Sequence, residues 1–166
     1  MLWPDAMEIP ESVKRFYALA ADYCRWAEKN PSEQEDEVSA TLRMVAALYL
    51  HALVLPDVDP GEEDIVDMGM TKLAAQQIYE RFKSLPFQYY HEIFRPVPVT
   101  GTPEEPVIGD IADDLMDIYV DLKEGTLLYE SGKTVLAVFQ WRTTFGFHWG
   151  RHATSAIRVL HIHLME

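Results

Sequence analysis

"DIADDLMDIYVDL" (residues 110–122) carries two interleaved patterns. Ile111, Leu115, Ile118 and Leu122 recur at spacings of 4, 3 and 4, which is one apolar stripe of a helix. Asp110, Asp114, Asp117 and Asp121 repeat the same spacing one residue earlier, so they line a face directly beside that stripe. Asp110 suits the N-cap, and with Asp113 it lies near the helix N-terminus, where the dipole favours a carboxylate. Like charges one turn apart still disfavour the helix by about 0.2–0.5 kcal/mol per pair. Solvent, a metal, arginines or a basic partner must therefore offset the row.

The rest of the chain reads outward from this helix. Ser131-Gly132 stops it, and a last long helix is predicted from about Lys133 to Leu164, with Phe145, Trp149, Ala153, Ala156, Leu160 and His163 on its inner side. Upstream, a first helix spans about Pro10–Lys29 on Val13, Phe16, Tyr17, Ala20, Cys24 and Ala27. Ser32 and Glu35 form a capping-box pair for a second helix reaching about Leu55, with Val38, Leu42, Val45, Tyr49 and Ala52 inward. Thr71 can cap a third ending near Leu85, with Ala74, Ile78 and Phe82 on one side. Pro86 suits the first turn of a short helix on Phe87, Tyr90 and Phe94. Four prolines in "PVPVTGTPEEP" (96–106) exclude a helix there. These segments predict an all-α fold, a single-domain bundle of five or six helices.

Composition bounds the function. The formal charge of −13 argues against nucleic-acid binding, which needs clustered Lys and Arg, and favours a basic protein partner or a cationic ligand. The longest apolar stretch, "MVAALYLHALVL" (44–55), is too short for a membrane span of about 20 residues and contains His51. "MLWPDAMEIPES" (1–12) has no basic and apolar secretion pattern, so a cytoplasmic location is expected. Cys24, the single cysteine, allows no intrachain disulfide and falls on an apolar helix face as a small buried hydrophobe. Neither a phosphate-cradling GxxxxGK[ST] loop nor a GxGxxG fingerprint occurs.

His148 and His152 in "FGFHWGRHATSA" (145–156) have the i, i+4 spacing of helical zinc ligands, but Trp149 stands where the metalloprotease glutamate would be. At the margin of the stripe, such histidines ordinarily donate a ring hydrogen to a carboxylate or a carbonyl. Gly146 and Gly150 offer a smooth strip for close approach. Arg142, Arg151 and Arg158 are the expected counter-charges for the Asp row, packing helix 110–122 against helix 140–163. Ser155 beside His152 lacks an oxyanion hole and makes a poor nucleophile.

"IADDLMDIYVDLKEG" followed by "WRTTFGFHWGRHATSAIRVLH", with "FYALAADYCRWAE" and "ALYLHALVLPDVDP" before them, resembles a bacterial all-helical family known as domain of unknown function 5063. The resemblance covers roughly residues 12–161. It implies a helical fold and marks Asp113, Asp114, Asp117, His148 and His152 as characteristic polar positions, without assigning them a reaction.

The leading expectation is a non-enzymatic acidic module that binds a basic protein, for instance an immunity protein neutralising a toxin. Its polar cluster, either binding surface or helix seam, comprises Asp113, Asp114, Asp117, Asp121, His148, Trp149, Arg151 and His152, with no catalytic residue and no cofactor. The alternative is a metal-dependent hydrolase holding a divalent metal with Asp114, Asp117, His148 and His152.

Overall fold

The computed structural model describes residues 8–31, 36–61, 69, 72–96, 101–102 and 104–166. Six helices account for most of them: α1 (Glu11–Ala27), α2 (Glu37–Ala52), α3 (Lys72–Phe82), α4 (Ile111–Glu130), α5 (Thr134–Phe147) and α6 (Trp149–Met165). A two-stranded antiparallel ribbon, β1 (Tyr89–Glu92) and β2 (Val107–Asp110), precedes α4. The architecture is an all-α bundle, as the periodicity predicts. No described helix is long and apolar enough to cross a membrane.

α4 is the central element and packs against α1, α3, α5 and α6. Its stripe of Ile111, Leu115, Ile118 and Leu122 is fully buried. Asp110 caps it as expected, accepting from the backbone N–H of Ala112 at 2.9 Å. At the other end Gly132 takes a left-handed φ of 84°. The N–H of Lys133 then reaches back to the Leu128 carbonyl, the bonding that ends a helix cleanly.

The core is anchored by aromatics, and its two most deeply buried indoles are both partnered. Phe16, Trp141 and Trp149 are completely buried, with Phe16 edge-on to Trp141 at 5.0 Å. Trp141 donates its indole N–H to the Leu122 carbonyl and Trp149 donates to the Trp141 carbonyl, each at 3.1 Å. Gly125 makes the first of these possible, because a Cβ there would come within 2.2 Å of Trp141 Nε1. Cys24 is buried as expected, and burial pushes its thiol up to about 12.

Three segments differ from the sequence expectation. Residues 86–94 form no helix: Tyr89–Glu92 pair with Val107–Asp110, and strands of four residues are too short to show alternation. The single final helix is two helices, broken at His148 (φ −132°, ψ −90°). Gly146 and Gly150 both weaken a helix there, while the apolar spacing runs in phase across the break and hides it. The α2 cap is Asp36, which accepts from the Ser39 N–H at 3.1 Å. The expected Ser32–Glu35 box and the Thr71 cap lie outside the described residues.

Candidate metal centre

The break places His148 at the mouth of α6 with His152 one turn further along it, their rings 5.0 Å apart. Both face the Asp row of α4, which turns inward; the residue-level exposure of Asp114 is 6% and that of Asp121 is 7%. Each histidine gives its Nδ1–H to its own carboxylate: His148 to Asp121 Oδ2 and His152 to Asp114 Oδ1, both at 2.7 Å. An ionised carboxylate only accepts, so these bonds fix the ring tautomers and leave both Nε2 atoms available.

Those two Nε2 atoms converge on one carboxylate. Asp117 Oδ2 lies 3.9 Å from His148 Nε2 and 3.4 Å from His152 Nε2. Ligand atoms of all three residues fall within 4.8 Å of one another. Two donors bound to one ion at about 2.1 Å each can be at most about 4.2 Å apart, and both His–Asp distances satisfy that limit.

The supports have supports of their own. The backbone N–H of Trp149 at the start of α6 favours the charged form of Asp121, the carboxylate that orients His148. Asp114 accepts from the Tyr90 hydroxyl at 2.5 Å. Burial pushes the carboxyls of Asp114, Asp117 and Asp121 up, against the pull of the neighbouring histidines. Burial likewise pulls His152 down, but the Asp114 hydrogen bond and the charges of Asp114 and Asp117 outweigh it, leaving the imidazole raised. Burial followed by the charges of Asp117 and Asp110 also raises Asp113, an exposed neighbour one turn from Asp117.

Of the eight residues the sequence singles out, five therefore meet: Asp114, Asp117, Asp121, His148 and His152. Asp113 stands at the rim. Trp149 belongs to the core, and Arg151 is exposed over the Phe94 ring at 4.4 Å. The arginine counter-charges are not there. Arg142 donates to the Leu55 carbonyl at 2.7 Å and lies 3.5 Å from Asp57, and no described ion pair joins Arg151 or Arg158 to the row. Histidines meet the row instead. Asp110 leaves the row and binds Tyr79 and Gln88 at the α3 side. Gly146 and Gly150 form no strip, since they sit on different helices. Of the four residues in the alternative metal set, Asp117, His148 and His152 bring ligand atoms together, while the two oxygens of Asp114 accept from Tyr90 and His152. Tyr90 is the site residue that sequence reasoning missed; its four-residue strand left no signal.

None of the curated proteins matches the chain. The crystal structure of protein BF1032 from Bacteroides fragilis is similar in fold, with a TM-score of 0.73 and 21% identity over 91% of this chain and 90% of that one. The family model named domain of unknown function (DUF5063) matches residues 7–166, so this chain is a member of that family.

Proposed function

We propose that the protein holds one divalent metal ion through His148 Nε2, His152 Nε2 and Asp117, and that the ion serves hydrolysis. One observation carries this reading: two histidines with their Nδ1 atoms tied to separate carboxylates aim both Nε2 atoms at a third carboxylate. Carboxylate–histidine pairs of this kind orient imidazoles toward a metal and raise their basicity. Two histidines and one carboxylate leave coordination positions open, as catalytic sites require and closed structural sites do not. A metal held there would supply a water acidified to near neutrality, and Asp113, at the rim, would be the group to take its proton.

The test is elemental analysis and calorimetric titration of the full chain with zinc, manganese, iron and cobalt. The expected result is one ion per chain, lost in His148→Ala, His152→Ala and Asp117→Ala. Absence of stoichiometric metal in the wild type, or its retention in all three variants, would overturn the reading.

A second reading, a module that binds a basic protein partner, is favoured by a different feature. Leu50, Leu53 and Val54 at the end of α2 are each more than half exposed on a chain of charge −13, and adjoining exposed apolar groups mark interaction surfaces. Leu53→Ser with Val54→Ser should abolish association with such a partner while metal binding is unchanged; unchanged association excludes this surface.

A further inference from the structure

We infer that the β1–β2 ribbon serves the metal centre, with Tyr90 acting as a positioning residue that sets the orientation of His152; this rests on the metal reading above. The path is short and fully defined. The Tyr90 hydroxyl donates to Asp114 Oδ2 at 2.5 Å, and the other oxygen of the same carboxylate takes the Nδ1–H of His152 at 2.7 Å. Tyr90 thereby occupies the oxygen that would otherwise be free to rotate toward the histidine or the metal. Asp114 is confined to one arrangement, and His152 Nε2 is held toward Asp117 Oδ2.

The ribbon is built to deliver that hydroxyl. Its register pairs Tyr90 with Gly109, and the tyrosine ring lies across the glycine: a Cβ at position 109 would come 2.3 Å from the Tyr90 ring. Only glycine admits the ring there. The ribbon is anchored at both ends, because Gln88 and Tyr79 bind Asp110, and Ser155 of α6 donates to Glu92 of β1. These ties leave Tyr90 little freedom to withdraw. Outer hydrogen-bond partners of this kind tune a metal through its ligands.

The experiment compares wild type, Tyr90→Phe, Gly109→Ala and Tyr89→Phe. Zinc affinity is measured by competition with a chromophoric chelator, and the visible spectrum is recorded after loading with cobalt(II). Tyr90→Phe should keep the wild-type helical circular dichroism and lose about 10–100-fold in affinity, the usual effect of removing an outer-sphere partner. Its cobalt spectrum should shift, a change that a merely structural role would not cause. Gly109→Ala keeps the hydroxyl but displaces the ring, and should reproduce both effects. Tyr89→Phe, on an exposed neighbour in the same strand, should match wild type. If wild type binds zinc and both Tyr90→Phe and Gly109→Ala bind equally well with an unchanged cobalt spectrum, the inference is overturned. If wild type binds neither ion, the metal reading itself fails.

Discussion

His148 and Asp121 meet at 2.7 Å, Nδ1 to Oδ2, across the break between α5 and α6. The Trp149 backbone N–H, at the start of α6, pulls the carboxyl of Asp121 down, so that carboxylate lies beside the helix break and also aims the first histidine. Breaking α5–α6 frees backbone donors that a continuous helix would have used internally. One of them, the Trp149 N–H, favours the charged form of Asp121, whose bond to His148 helps assemble the candidate metal centre.

Removing Asp114 strands two donors, the His152 ring and the Tyr90 hydroxyl, in a largely buried place. Asp114→Ala is expected to cost about 3–5 kcal/mol, the usual penalty for breaking a buried pair. Thermal melting of the metal-free protein should show it, at roughly 2–4 °C per kcal/mol for this chain length. Arg151→Ala removes only an exposed contact with Phe94 and should cost no more than about 1 kcal/mol. Equal melting temperatures for the two variants would contradict this assignment of the polar seam.

The two glycines beside the break should respond in opposite directions. Gly146 has nothing within 4 Å of a built Cβ, so Gly146→Ala should stabilise by up to about 1 kcal/mol through helix propensity. At Gly150 a Cβ would lie 2.3 Å from the Phe145 carbonyl oxygen, and backbone cannot move aside cheaply. Gly150→Ala should therefore destabilise, by about 1–3 kcal/mol for an overpacked site. Denaturant melts of both variants decide it; a shift of the same sign in each would refute the packing described at the break.

Cys24 should be chemically silent in the folded protein. With burial holding its thiol at about 12, almost none is thiolate near neutrality, and the thiolate is the reactive form. A disulfide reagent at about pH 8 should label it only after denaturation. Rapid labelling of the native chain would mean that α1 opens readily.

Glu28 predicts an acid limb in stability. Burial pushes its carboxyl up, but hydrogen bonds from Lys123 at 2.7 Å and Tyr119 at 2.8 Å outweigh it, and the net value falls below the ordinary 4.5. A depressed carboxylate contributes stability that is complete above its unfolded value and is lost as pH falls through its folded value. The advantage of wild type over Glu28→Gln should hold at neutral pH and shrink below about pH 4, where acid protonates the native carboxylate. A difference independent of pH would show that the contact between α1 and α4 is not ionic.

The helices were legible because burial imposes periodicity: the stripes of α1 and α4 are visible residue by residue, and Asp110 and Gly132 announce the ends of α4. The β-ribbon was not, because its pairing partners lie far apart in the chain and each strand is only four residues long. The break at His148 was hidden for another reason. Phe145 and Trp149 keep helical spacing across it, so apolar period alone cannot distinguish one helix from two.

By itself the sequence determined the bundle, the placing of an Asp row beside a buried stripe, and the presence of two histidines fit to meet it. Those are properties of spacing along one helix at a time. The tertiary structure alone decided which groups meet: that histidines and not arginines contact the row, that Asp114 and Asp121 hold the rings while Asp117 faces both Nε2 atoms, and that Tyr90 arrives from a distant strand. Such choices depend on side-chain direction and helix crossing at the level of an ångström, and a one-dimensional pattern does not contain them.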